Sequence, residues 1–193
     1  MSKLILVLLL SSVGWAQMVT FGVKGGVAAG TPTADYGILK IDPGYWTVGP
    51  TVEFHTRIRL SLELAGLYSS YTVGYPTIQT PPFPLFRYTS VQQTHAWDIP
   101  AVLKYRFSEG TVRPFVFAGV NYRRENSHVS GFCETGVCTV VNTYSTSQDR
   151  IGPTAGAGIE WKPGRIRIAP EFRYTHLNRP GANQFSVLLG VSF

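Results

Sequence analysis

Nowhere in the 193 residues is there a run of about 18 consecutive apolar residues, so no segment is long enough to cross a membrane as a helix. Charge is scarce too: Asp, Glu, Lys and Arg make up 15% of the chain, against about 25% in an ordinary soluble domain. Only two cysteines are present, which excludes a disulfide-stapled miniprotein in a chain this long. No convincing helical period, internal repeat or low-complexity tract occurs. Disorder is excluded in its turn, because 13% of the residues are aromatic and β-branched residues are plentiful. What remains is a chain of one-domain length with a mean hydropathy of +0.05, which requires its apolar residues to be concentrated on one face.

The first 16 residues, MSKLILVLLLSSVGWA, have the pattern of a secretory signal. Lys3 supplies the positive start, Leu4 to Leu10 the apolar run, and Gly14 and Ala16 the small residues before the cut. The apolar run is too short for a membrane anchor. The reading is therefore a cleaved signal peptide over 1–16 and a single domain over 17–193 that is exported, with the formal charge falling from +6 to +5 as Lys3 leaves. Disulfides are permitted in such a compartment.

Period 2 then runs through the chain. Val19, Phe21, Val23 and Val27 oppose Thr20, Gly22, Lys24 and Gly26, and Trp46, Val48, Val52 and Phe54 oppose Thr47, Gly49, Thr51 and Glu53. Leu60, Leu62 and Leu64 oppose Arg59, Ser61 and Glu63; Trp97, Ile99, Leu103 and Tyr105 oppose Asp98, Pro100, Lys104 and Arg106. The fifth run, from Val112 to Arg123, is ambiguous: Asn121 and Arg123 mark a polar face, yet Phe115 and Phe117 share their parity. Three further runs, around Ile151–Trp161, Ile166–Tyr174 and Phe185–Phe193, alternate cleanly.

Eight such runs suit strands that cross a bilayer at a tilt, each needing about 9–11 residues. The connections alternate short and long. His55–Arg57, Ser108–Thr111 and Pro163–Gly164 are short; Gly30–Tyr45, Ser69–Thr94, Arg124–Asp149 and His176–Asn183 are long. The expected fold is all-β, an eight-stranded antiparallel up-and-down transmembrane barrel with its long loops outside the cell. A soluble barrel would carry the same period with its apolar face inward. Against that, the polar face is crowded with Gly, Ala, Ser and Thr, and aromatics cluster at the ends of the apolar faces, as at the two water interfaces of a bilayer.

The segments FGVKGGVAAG (Phe21–Gly30), WDIPAVLKYRF (Trp97–Phe107), RPFVFAGVNY (Arg113–Tyr122) and FSVLLGVSF (Phe185–Phe193) resemble the small outer-membrane β-barrel family of diderm bacteria, the OmpA/OmpX-like barrels. The resemblance implies an outer-membrane location. It also implies that the terminal Phe193 is read by the outer-membrane assembly machinery. Such barrels serve as anchors, adhesins, lipid enzymes and narrow channels, so the fold does not choose among these.

The expected inward charges are Lys24, Glu53, Arg59, Glu63, Asp98, Lys104, Arg106, Glu160, Arg167, Glu171 and Arg173. Buried charges must pair, so these form either a structural ion-pair network filling the lumen or a gate passing ions or small solutes. Cys133 and Cys138 fit a small disulfide in the third long loop; with only His128 nearby, a metal site lacks ligands. RYTHLNRPGAN (Arg173–Asn183) is loosely similar to the His motif of outer-membrane lipid A deacylases. That family places a Ser nucleophile two residues after the His, where this chain has Asn178. A second His-x-Ser, His128/Ser130, falls in a presumed loop. Arg87, Arg123, Arg124, Arg150 and Arg179 lie in or beside the long connections, where they suit lipopolysaccharide phosphates. The sequence thus reads as a monomeric, non-enzymatic outer-membrane barrel of structural or surface-interaction type. Its partners are outer-membrane lipid and lipopolysaccharide, with no cofactor, metal or nucleic acid. A narrow pore is the alternative and a lipid A-modifying enzyme a further one.

Overall fold

The computed structural model describes residues 19–32, 40–41, 46–56, 58–75, 87–135, 143–178 and 182–193. The expected signal peptide lies outside them. Among the described residues there is no helix, and ten strands form one antiparallel sheet. They are β1 (Val19–Pro32), β2 (Lys40–Ile41), β3 (Trp46–His55), β4 (Leu60–Ala65), β5 (Leu67–Tyr75), β6 (Arg87–Arg106), β7 (Val112–Thr135), β8 (Tyr144–Trp161), β9 (Arg167–His176) and β10 (Ala182–Ser192). β4 and β5 are two halves of one stave, and β2 is a two-residue strand beside β5, so the wall has eight staves. β1 pairs with both β3 and β10, which closes the barrel.

Closure fixes the tilt. Stepping across the ladder from Thr20 leads through Glu53, Glu63, Val102, Gly119, Thr154, Thr175 and Gln184 back to Gly30, ten residues further along β1. Eight staves with that stagger lean roughly 40° and leave an interior that side chains can fill. The lean levels the aromatic rings. Trp46, Tyr68, Trp97, Tyr122 and Phe185 come to one height, near the ends of the short staves, and Phe54, Tyr105, Phe107, Trp161 and Phe193 come to another, at the short turns. These girdles stand about 20 Å apart along the axis. Between them the outward side chains are apolar and exposed, among them Val23, Leu103, Val120, Phe172 and Leu189. Val48 and Leu62 also face out, and Ile168, between Trp161 and Val191 on β9, is half-buried.

Prolines mark where the ladder lapses. Gly66 donates to the Pro50 carbonyl at 3.0 Å, but Pro50 has no N–H to return. The register sets Pro100 against Ala65 with the same deficit, so the stave breaks at Gly66 between β4 and β5. Pro170 stands against Ile159 where the β8–β9 pairing lapses, and that pairing begins only at Thr154, next to Pro153.

One expectation needs correction. The sequence reads 69–94 and 124–149 as long connections; the structure makes most of both strand. β6 and β7 pair without a break from Arg106↔Phe115 to Gln92↔Val129 and onward, and β7 pairs with β8 up to Val129↔Tyr144. At about 3.3 Å per residue the 24 residues of β7 extend some 80 Å, about twice what a bilayer crossing uses. β5 to β8 therefore project past the outer girdle as a four-stranded fin. The apolar alternation ends there because both faces of the sheet become polar or small, although Thr, Tyr, Val and Gln-rich stretches still favour strand. β8 rises without β9 because Pro153 has no donor to offer it.

Candidate functional site

The lumen carries two layers of charge separated by an apolar partition. In the lower layer, nearer the short turns, Glu63 sits between Lys24 and Lys104, the latter at 2.5 Å. Lys24 also reaches Glu171 at 2.6 Å, and Arg173 donates to the other Glu171 oxygen at 2.8 Å. Arg106 joins Glu53 at 2.6 Å to Glu160 at 2.8 Å and donates to the Ser61 hydroxyl, which itself donates to Glu53. Four cations, Lys24, Lys104, Arg106 and Arg173, thus meet four carboxylates, all of them buried.

In the upper layer Arg123 binds Asp98 at 3.0 Å, Glu125 at 2.6 Å and the Gln184 carbonyl at 2.8 Å. Arg150 closes on Glu125 at 3.1 Å, and the Asn121 amide donates to Asp98. Two cations therefore face two carboxylates. The fully buried groups of each layer balance, as desolvated ions require, and half-buried Arg113 adds a further cation 3.6 Å from Glu160 at the edge of the lower one.

Leu67, Leu188 and Ala65 pack together between the layers, and Val102, Phe115, Phe117 and Ala169 form a second buried cluster. The fifth run is thereby settled: Phe115 and Phe117 point inward along with Asn121 and Arg123. Their rings lie under cations, with Lys104 Nζ 4.7 Å from the Phe115 centroid and Arg173 5.2 Å from that of Phe117. They fit because β8 offers glycine opposite: a Cβ at Gly156 or Gly158 would stand 2.4 Å from a Phe ring carbon.

The structure brings nine of the eleven expected lumen residues into these two layers. Arg167 lies at the mouth, half-buried, donating to His55 Nε2 at 2.7 Å. Arg59 is outside altogether, a correction with a local cause. It occupies the tight β3–β4 turn with φ at 55°, and its side chain runs to Glu109 of the next turn at 3.0 Å. There it also caps, at 3.4 Å, the Phe107 carbonyl that Pro114 cannot pair. The Glu109 hydrogen bond holds the Arg59 pKa above its ordinary value. Conversely, sequence reasoning placed Arg123 and Arg150 at the glycolipid, and the structure turns them into the lumen. Arg124 alone of that group is seen facing outward, loosely paired with Asp149 at 3.9 Å. Arg179 and Cys138 lie outside the described residues, so the Cys133–Cys138 disulfide does too.

Two cavities described in this interior are small: one of about 20 Å³ is lined by Lys24, Glu53, Glu63, Lys104 and Glu160, and one of about 10 Å³ by Leu67, Asp98, Asn121, Arg173 and Leu188. Each has room for one or two waters at most. His176 bonds Asn183 at 2.7 Å, and His128 lies on strand β7, bonded to Ser145 of β8 at 3.0 Å rather than to Ser130. No cluster of three or more potential metal ligands occurs among the described residues.

No protein-family profile and no curated protein matches the chain. Solved structures do. OprG, an outer membrane protein of Pseudomonas aeruginosa, superposes with a TM-score of 0.52 at 12% identity, over 91% of this chain and 94% of that one. Ail, the attachment invasion locus protein of Yersinia pestis, gives 0.51 at 13% identity, over 91% and 95%. At such identities the likeness is one of fold: the chain is built as the small eight-stranded outer-membrane barrels are.

Proposed function

We propose that this protein is an integral, monomeric barrel of a diderm outer membrane, exported by its first 16 residues, whose closed lumen holds up an extracellular fin. It works as a non-enzymatic scaffold and surface-contact protein. The observation that carries this reading is the inversion of the wall: apolar side chains exposed outward between two aromatic girdles, with paired charges inside. The apolar partition and the small cavities favour a plug over a gate. Lipopolysaccharide is the proposed lipid neighbour, met at the outer girdle where Arg124 stands beside Trp97. Phe193, outward at the end of the last stave, is the proposed contact for the assembly machinery. Planar-bilayer recording of the refolded chain tests the plug. A silent membrane is expected, and discrete conductance steps would establish the pore alternative instead.

A further inference from the structure

The apolar partition does not wholly part the two charge layers. Beside Leu67 and Leu188 lies the cavity of about 10 Å³, which is bordered by Arg173 of the lower layer, by Asp98 and Asn121 of the upper one, and by Thr47. Among the described residues, five buried side-chain polar atoms have no hydrogen-bond partner. Three of them, Thr47 Oγ1, Asn121 Oδ1 and Arg173 Nε, belong to residues that line this one cavity. Those residues are exposed by only 5%, 3% and 4%. They come from three separate strands, β3, β7 and β9, so no local turn brings them together.

Neighbouring atoms of two of these side chains are engaged elsewhere, which fixes the role of the third group's partners. The Asn121 amide nitrogen donates to Asp98 at 2.7 Å, so its carbonyl oxygen is left as an acceptor. Arg173 Nη2 donates to Glu171 at 2.8 Å and the guanidinium lies 5.2 Å from the Phe117 ring centroid, so Nε–H is left as a donor. Thr47 adds a hydroxyl that can give or take. A donor, an acceptor and a group of either kind around a water-sized space suit a buried water, which makes about three hydrogen bonds. The volume admits one water and nothing with more heavy atoms. An ion does not suit it, because Arg173 and Asp98 already have charged partners. Left dry, each of the three groups would carry its full desolvation penalty.

We infer that this cavity is a binding site for a single structural water, which accepts from Arg173 Nε–H, donates to the Asn121 carbonyl and shares a hydrogen bond with Thr47. The water carries the hydrogen-bonded network past Leu67 and Leu188, so the two ion layers act as one body. This deepens the closed-lumen reading above and rests on it.

The sign of one substitution tests the site. Thr47→Val removes the hydroxyl and nearly keeps the shape of the side chain. With the water in place a made hydrogen bond is lost, and the unfolding equilibrium constant of the refolded full chain should rise about fivefold. In a dry cavity the same change relieves a bare buried hydroxyl, so stability unchanged or raised would overturn the site. Nuclear Overhauser spectra of the unaltered chain in nanodiscs give a second reading that needs no variant to fold. Arg173 Nε–H and the Asn121 side-chain amide should show cross-peaks to water of opposite sign in the laboratory and rotating frames, as a held water gives and proton exchange does not. No water contact at either group would overturn the site and leave the plug standing. Water contacts running on along the Val102, Phe115 and Phe117 side chains would instead strike the plug on which it rests.

Discussion

β6 and β7 pass through two surroundings, and the chemistry of their outward face changes on the way. In the barrel wall their outward residues are Leu103, Tyr105, Val116 and Val120, and their inward ones include Lys104, Arg106 and Asn121. In the fin the outward residues are Gln93, His95, Asn126 and His128, while Thr94, Ala96, Ser127 and Val129 are buried. From Arg106 to Gln92 and from Phe115 to Val129 the alternation does not slip; what changes, around Trp97–Asp98 and Arg123–Arg124, is that the outward positions turn polar while inward ones such as Thr94, Glu125 and Ser127 stay so. Within the girdles the apolar solvent lies outside, so the lumen must hold and neutralise the charge. Above them water lies outside, and ordinary polarity returns. The wall and the fin are thus one sheet under two solvents.

The largest difference between the regions should come from breaking an ion pair in each. Glu63→Ala leaves Lys24 and Lys104 buried without their shared carboxylate, and denaturant unfolding of the refolded barrel should show a loss of about 3–5 kcal/mol. Arg124→Ala, which removes the exposed pair with Asp149 and leaves the Tyr122–Asp149 hydrogen bond in place, should cost at most about 0.5 kcal/mol in the same assay. Equal losses would erase the distinction. Next in size, an outward arginine should be costly only between the girdles. Leu189→Arg is expected to destabilise by about 2–4 kcal/mol in a bilayer and Asn126→Arg by about 1 or less.

The packing of the lumen can be sharpened separately. Gly158→Ala pushes a methyl to 2.4 Å from the Phe115 ring and should cost about 1–3 kcal/mol, read by the same unfolding titration. The smallest effect runs the other way. Pro50→Val, on the outer face, returns a donor to the Gly66 carbonyl and should gain about 1 kcal/mol, with slower amide exchange around Ala65–Leu67. Unchanged exchange there would show that proline is not what interrupts the stave.

Most of the wall was legible because period 2 is strong wherever one face meets lipid, and Lys24, Glu63 and Glu171 fall on it in phase. The fin was not, because above the girdle outward Gln93 and Asn126 contrast too little with inward Thr94 and Ser127 for alternation to show. The buried apolar side chains of the lumen escaped for another reason. Leu67, Leu188 and the Phe115/Phe117 pair occupy inward positions, against the simple rule of polar inside. A signal for the last two was present: Phe-x-Phe at 115–117 and Gly-x-Gly at 156–158 are complementary shapes once β7 and β8 are paired. Parity alone puts Arg123 on the polar face of its run; it and Arg150 are assigned to the glycolipid only because they border what is taken for a loop. Arg59 was misplaced because its turn, not its parity, sets its direction.

A nitroxide scan along β7 in a bilayer, reading collisions with oxygen and with a water-soluble nickel chelate, tests the two-solvent account most directly. Labels at 116 and 120 should be oxygen-accessible and shielded from nickel, and labels at 126 and 128 should be nickel-accessible. Those at 117, 121, 123 and 127 should be shielded from both. Oxygen exposure at the odd positions, or nickel exposure extending down to 116, would contradict it.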